Sequence, residues 1–369
     1  MGGALDIEQM PAPIPLSVVV PSHNSVATLR RVLAAIRASE LPPDRYELIV
    51  VDDASVDASA TVAARYADTV IRLTGRPAGT AYARNRAAEL ARGEIVAFVD
   101  ADILVRSTTL PTILSMFGEH PGVDAVSASH DDAPAAPNFV SQYWNLLLHF
   151  GEQRYVGPGG DLASGCTAVR RSVLMATGMY DEWRFGTTSL EGLDLGQRFQ
   201  RDARRVMVSR KVQVTPLRQW TARSMCREVW SRSRTLARSL GYNQTRAAVP
   251  SEVVFTLSRA MPSALAVVSI VALSGAFLPA PGWIEKGTIG MLGILLANLP
   301  VYRFFSRARG VAFAILVVPL HLVTQSVGAV ALCAGWVQRD TVGDRAPDAA
   351  TQAYAEVGLE MWPPVPKRR

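Results

Sequence analysis

Two pairs of aspartates at the ends of apolar runs carry the chemistry this sequence offers. Asp52 and Asp53 follow Leu48–Val51, and Asp100 and Asp102 follow Ile95–Val99. Each run reads as a buried strand of a parallel sheet, and carboxylates where such strands end lie in the crevice where open α/β sheets bind ligands. The Asp-x-Asp spacing puts two hard oxygen ligands on one face of a turn. Such ligands suit Mg²⁺ or Mn²⁺, ions usually shared with substrate phosphates. The pattern predicts a metal-assisted site for a nucleoside diphosphate. A plainer use also fits: Asp53, Ser55 and Asp57 have the composition of a helix N-cap.

The flanking segments show how these carboxylates are positioned. Leu16–Pro21 is a short apolar strand ending in the turn-forming Pro21-Ser22-His23-Asn24. Residues 25–38 have helical spacing through Leu29, Val32, Leu33 and Ile36, and Leu41-Pro42-Pro43 stops them. A helix to Tyr66, a strand at Thr69–Leu73, a turn through Gly79 and a helix over about residues 80–91 lead into the Asp-x-Asp strand. Strands alternating with short helices predict βαβ units and a mostly parallel sheet.

Composition divides the 369 residues. The chain is 49% hydrophobic and 19% charged, and the imbalance is local. Up to about Asn243 it reads as a soluble α/β domain. Beyond that lie three uncharged stretches, Ala260–Ile284, Gly287–Tyr302 and Gly310–Gln338. A membrane span needs about 20 mostly apolar residues, so about three transmembrane helices are expected, with a buried soluble bundle as the alternative. Met1–Leu16 has neither the basic start nor the apolar core of a secretory signal. Together with the arginines at 303, 307 and 309, this puts the N-terminal domain on the cytoplasmic side of the cell membrane.

Other function classes recede. Cys166, Cys226 and Cys333 have no pairing or metal spacing, which fits a reducing compartment, and the five histidines form no zinc pattern. The net charge is +6, with the excess between Arg198 and Arg246. No nucleic-acid module accompanies it, so contact with anionic headgroups or a phosphorylated lipid explains it better than nucleic acid. On a helix, Arg223, Arg227, Arg234 and Arg238 share one arc, while Met225, Val229, Leu236 and Leu240 gather on another. Such a helix suits a membrane interface, or packs its apolar side on protein with arginines in water. His23, His130 and His149 are assigned no proton transfer, and His321 with Gln325 falls inside the third apolar stretch.

With these segments in place, the chain over roughly Leu16–Leu240 resembles the family 2 inverting glycosyltransferases of GT-A fold. The motifs are Val18-Val19-Val20-Pro21-Ser22-His23-Asn24, then Val51-Asp52-Asp53-Ala54-Ser55, then Gly79 with Ala83-Arg84-Asn85, then Asp100-Ala101-Asp102. They continue in Ser164–Arg171, Gly178–Glu182 and Glu191-Gly192-Leu193-Asp194-Leu195 with Arg198. The resemblance implies a GT-A nucleotide-diphosphate-sugar-binding domain. Pro21, Ser22, His23, Asn24, Asp52 and Asp53 would belong to the donor site, and Asp100 and Asp102 would hold the Mg²⁺ or Mn²⁺ that bridges the diphosphate. Arg84 adds a contact to phosphate, or is an arginine on a solvated helix face.

The chain departs from the family in two places. The family's catalytic base, an Asp within Glu-Asp-x-Asp-Leu, falls at Gly192; Glu191 could take its place, with Asp194 the next candidate, and a phosphate acceptor, already ionised, would need little base help. The further His ligand that many relatives carry is missing from Val212–Gln219, and so is the Gln-x-x-Arg-Trp signature of processive synthases. The expected organisation is an extension at 1–15, a GT-A domain at 16–219, a basic interfacial segment at 220–250, transmembrane helices within 251–338, and a polar, disordered tail at 339–369. The expected activity is inverting transfer of a single sugar from a nucleoside-diphosphate sugar to a membrane lipid or polyprenyl-phosphate acceptor. The rival reading is a non-catalytic donor-binding or scaffold relative.

Overall fold

A computed structural model describes residues 14–154, 157–158, 162, 165–182, 191–239, 283–341 and 357–362. The first half alternates as its periodicity dictates. Strand β1 (Leu16–Ser22) leads to helix α1 (Val26–Arg37), β2 (Tyr46–Asp53) to α2 (Ser59–Ala64), and β3 (Thr69–Thr74) to α3 (Thr80–Leu90). Then come β4 (Ile95–Val99), the short β5 (Ile103–Val105), α4 (Thr109–Glu119) and β6 (Ala125–His130). All seven residues of β1 and all eight of β2 are buried, which is why they read as continuous rather than alternating apolar runs.

The second half is less regular. Helix α5 (Phe139–Arg154) is followed by the two-residue β7 (Gly157–Pro158), β8 (Cys166–Arg170), α6 (Arg171–Ala176), α7 (Glu191–Arg201) and the long β9 (Val206–Pro216). Helix α8 (Ala222–Ser239) leaves the sheet, and α9 (Trp283–Ala297), α10 (Leu299–Arg309) and α11 (Val311–Thr341) form the C-terminal helical region. Strand β10 (Gly358–Trp362) then returns to the sheet.

Among the described residues the sheet runs β10-β3-β2-β1-β4-β8-β6-β9-β5, with β7 beside β9. It is a mixed sheet whose first half is parallel as expected. β3, β2, β1 and β4 are parallel, whereas β8 is antiparallel to both β4 and β6, and β5 is antiparallel to β9. The disordered-tail expectation is corrected for one segment. Gly358–Trp362 pairs antiparallel with β3, Leu359 opposite Leu73 and Met361 opposite Ile71. A free sheet edge offers unpaired backbone groups, and a five-residue strand can satisfy them.

One core layer packs α1 and α4 against the sheet through Leu29, Leu33, Ile36, Leu110 and Ile113. The other packs α3, α6 and α7 through Ala83, Ala87, Leu174, Leu195 and Phe199. A third cluster joins α5 to the helical region through Tyr143, Leu146, Phe305 and Val317.

The expected first span, 260–284, lies outside the described residues except for its last two positions. The second is not straight: residues 288–297 and 299–309 meet at a 58° bend. Pro300 lies in the first turn of α10, where its ring cannot continue the preceding helix. The third, Val311–Gln338, is the one helix among the described residues long and apolar enough to cross a membrane.

Candidate active site

The β1–α1 and β2–α2 turns are sewn together at the ends of neighbouring parallel strands. His23 Nδ1 lies 2.6 Å from the Asp53 carbonyl, and the Asn24 amide donates to Ser55 Oγ at 2.9 Å. Asn24 Oδ1 accepts from the Val56 amide at 2.9 Å. Asn24 and Ala54 both take positive φ, 48° and 51°, which makes these turns tight. Pro21 and Ser22 are buried in β1 beside Val51 and Asp52 of β2.

The two aspartates of the second motif do different work. Asp53 gives both oxygens to the backbone, accepting from Ala78 at 2.7 Å and Gly79 at 2.8 Å. It therefore fixes the loop that opens α3. Asp52 is fully buried with Arg72 Nε at 3.7 Å, and burial raises its carboxyl above the usual range against the pull of Ser55 and Arg72. The N-cap position of α2 is Ala58, and Asp57 just before it accepts from the Ser59 amide through Oδ1.

Arg84 is the centre of the site. Its Nη2 donates to Asp100 Oδ1 at 2.6 Å and its Nη1 to Glu191 Oε1 at 2.8 Å. It is buried and stacks over Tyr180 at 5.2 Å, so the solvated-face reading is overturned. Burial works against its charge, but Asp100, Tyr180 and Glu191 outweigh that and hold it protonated. One guanidinium thus joins the metal-type turn to the carboxylate beside Gly192.

The Asp-x-Asp turn is held from two sides. The Asp100 amide donates to Gly165 O at 2.8 Å, and the Leu217 amide donates to Asp102 O at 2.8 Å. A side chain at Gly165 would come within 2.5 Å of Ile103 and 3.2 Å of Asp100 Oδ2, so only glycine lets the chain before β8 approach this closely. Burial, then the neighbouring Asp100 carboxylate, pushes Asp102 up to about 6. Among the described residues no three His, Cys, Asp or Glu side chains form a metal cage. Two neighbouring carboxylates, Asp102 held back from ionising by burial and by Asp100, fit a hard divalent ion that takes its remaining ligands from phosphate and water.

Glu191 begins α7 and is 4% exposed. Its Oε2 has no hydrogen-bond partner among the described residues, and burial raises its carboxyl above the usual range despite Arg84. Asp194 instead bonds Arg198 Nε at 2.8 Å, and Arg198 in turn holds the carbonyls of Thr177 and Met179. Of the two candidate bases, Glu191 is the one with an uncommitted oxygen.

Asn85 joins two motifs that are distant in sequence. Its amide accepts from Tyr180 N at 3.0 Å and donates to Tyr180 O at 2.9 Å and Glu182 Oε1 at 2.7 Å. Asn85→Ala is expected to lower stability by about 2–3 kcal/mol, read as a shift in the denaturant midpoint with an unchanged m value.

Sequence reasoning gave no role to two groups beside the Asp-x-Asp turn. Arg218 follows the Leu217 amide that binds Asp102 O, acts electrostatically on Asp102, and stacks over Trp220 at 4.0 Å. Buried His130 pairs with Glu152 at 2.7 Å; burial opposes its charge and Glu152 more than restores it. No local signal marks either group, since the partners lie on different elements.

Comparison with known proteins now bears on this geometry. Residues 17–178 match the model for Glycosyl transferase family 2. Over this segment the chain is similar to the family 2 glycosyltransferases. A poly(ribitol-phosphate) beta-N-acetylglucosaminyltransferase of Staphylococcus aureus is 32% identical over 28% of this chain and 19% of its own length. A beta-monoglucosyldiacylglycerol synthase of Nostoc is 29% identical over 51% of this chain and 41% of its own. The chain thus spans less than half the length of these relatives. A mannosyltransferase of Pyrobaculum calidifontis, solved in complex with GDP-Man and Mn²⁺, has a similar fold. It has a TM-score of 0.61 at 20% identity, over 88% of this chain and 86% of that one.

Proposed function

We propose that this chain is a membrane-associated glycosyltransferase that moves a single sugar, with inversion, from a nucleoside-diphosphate sugar to a lipid-linked acceptor. One observation carries the reading: Arg84 ties Asp100 of the Asp-x-Asp turn to Glu191, whose second oxygen is uncommitted. The turn and the candidate base are therefore held in fixed relation, as in-line displacement requires.

Asp100 and Asp102 would hold Mg²⁺ or Mn²⁺, which would act as a Lewis acid toward the charge developing on the leaving diphosphate. The Mn²⁺ in the Pyrobaculum structure supports this choice of ion. Pro21, Ser22, His23, Asn24 and Asp52 line the strand ends where the nucleoside would sit, and Asp53 supports them through the loop at Gly79. An acceptor oxygen attacks the anomeric carbon, the bond to the diphosphate oxygen breaks, and the acceptor proton passes to Glu191 Oε2. A phosphate acceptor, already ionised, asks less of that base.

Membrane association is supported by helix Val311–Gln338 and by the glycolipid named for the Nostoc relative. Arg303, Arg307 and Arg309 support a cytoplasmic catalytic domain. The scaffold reading rests on Gly192, and the buried position and uncommitted oxygen of Glu191 weigh against it.

The test is nucleoside-diphosphate release from a panel of sugar nucleotides, with Mg²⁺ or Mn²⁺ and lipid phosphate, in membranes holding the full chain. Release from one donor is expected. No release from any donor would return the reading to the scaffold. Because Glu191 must be ionised to act and burial raises its pKa, activity toward a hydroxyl acceptor is expected to rise with pH along a limb above the ordinary Glu value of about 4.3. Glu191→Asp should displace that limb in a pH–kcat profile.

A further inference from the structure

Helix α11 has two unlike sides. Its outward side exposes Val311, Ile315, Leu316, Val323, Val330 and Trp336, and no Asp, Glu, Lys or Arg occurs between Val311 and Gln338. Monomeric soluble proteins rarely leave an apolar strip of that length in water. Length and composition alone would let this helix cross a bilayer.

The inward side argues otherwise, because it is fastened to the glycosyltransferase domain from end to end. Near its start, Phe313 meets Phe139 of α5 with ring centroids 5.1 Å apart. At its middle, Thr324 Oγ1 lies 2.7 Å from Tyr143 Oη of α5. Toward its end, a side chain at Gly335 would come within 2.3 Å of the Arg234 carbonyl, so α8 and α11 touch there backbone to backbone. These partner helices are charged. α8 carries Arg223, Arg227, Arg232 and Arg234, and α5 ends in Glu152, Gln153 and Arg154, with Glu152 paired to His130. A crossing α11 would carry them into the hydrocarbon, where charged side chains are costly.

We propose that α11 lies in the plane of one leaflet, its outward side in the acyl region and its inward side carrying the glycosyltransferase domain, so that the chain docks on an anionic bilayer surface. This rests on the membrane-associated reading above and specifies its geometry. Charge complementarity selects the occupant. Arg303, Arg307 and Arg309 are exposed on the helix leading into α11, as are Arg223 and Arg227 on α8. Trp230 and Trp336 are exposed as well. An apolar face with arginine and tryptophan beside it matches the headgroup boundary of a membrane rich in anionic lipid.

Nitroxide scanning of the full chain in vesicles of phosphatidylcholine and phosphatidylglycerol tests the placement. Single cysteines at Ala312, Leu316, Val323 and Val330 would be introduced with Cys226→Ser and Cys333→Ser, and native Cys333 would be labelled separately. Cys166 is buried and its thiol is pushed up to about 12 by burial, so it stays unlabelled. Relative access of oxygen and a water-soluble nickel chelate gives the depth of each label. An in-plane helix gives all five positions the same depth within about 5 Å, one helical turn. A depth that rises and falls along the roughly 30 Å between the first and last labels would show a span and overturn the in-plane placement alone. Low access to both reagents would show the face covered by protein and overturn it too. Failure to float with the vesicles would overturn both this placement and the membrane-associated reading.

Discussion

Replacing Glu191 by Gln is expected to lower kcat toward a hydroxyl acceptor by about 10²–10⁴-fold while leaving donor affinity nearly unchanged. The substitution keeps the side-chain size and leaves an oxygen for Arg84 Nη1, so the fold around the 2.8 Å contact should survive. What disappears is the proton-accepting carboxylate at Oε2. Single-turnover transfer alongside a donor-binding titration separates these effects. If the Gln variant turns over like the parent, another group takes the proton or the acceptor brings no proton to take. The second case would identify a phosphate acceptor, and the alkaline rise in the pH profile would vanish with it.

Asp102→Ala is expected to cost at least about 10²-fold in turnover, on the order of 3 kcal/mol, and to abolish saturation by Mn²⁺. Turnover that persists with undiminished metal dependence would remove Asp102 from the ligand set. The acid behaviour of the parent has a definite sign. Asp102 is pushed up to about 6 in the metal-free chain, so metal affinity should weaken as pH falls below that value, because the ligand must be ionised to bind. The same shift bears on stability. A carboxyl with a native pKa above its unfolded value favours the fold below the unfolded value, and that contribution is lost as pH rises through about 6. Metal-free Asp102→Asn should therefore melt above the parent at pH 7, and Mn²⁺ should reverse the order.

The parts of this molecule that could be read from the sequence are those set by short-range pattern. β1, β2 and β4 announce themselves as unbroken apolar runs because both faces are buried, and the carboxylates at their ends follow directly. The apolar side of α8 was visible in its spacing, and Met225 and Leu236 are indeed buried while Arg223 and Arg227 face water. Relations set by sheet order were not visible. Arg84 and Glu191 stand 107 positions apart, and their contact depends on β8 inserting antiparallel beside β4 and on the chain returning to α7. The bond between Asn85 and Tyr180 is hidden for the same reason, since neither residue carries a periodic signal. The bend between α9 and α10 can be read from Pro300, whereas its angle accompanies packing against α11 through Asn298 and Gln325.

The strand Gly358–Trp362 fixes an order of assembly. Its partner β3 ends at Thr74, and every helix of the C-terminal helical region is encoded between the two. At about 5–20 residues per second, the ribosome needs on the order of tens of seconds to make the chain that separates them. Throughout that interval the β3 edge of the nascent domain is uncovered and open to pairing with another chain. A partner that guards this edge during synthesis would have to leave before β10 arrives, so the last described strand marks the moment when the domain can be released.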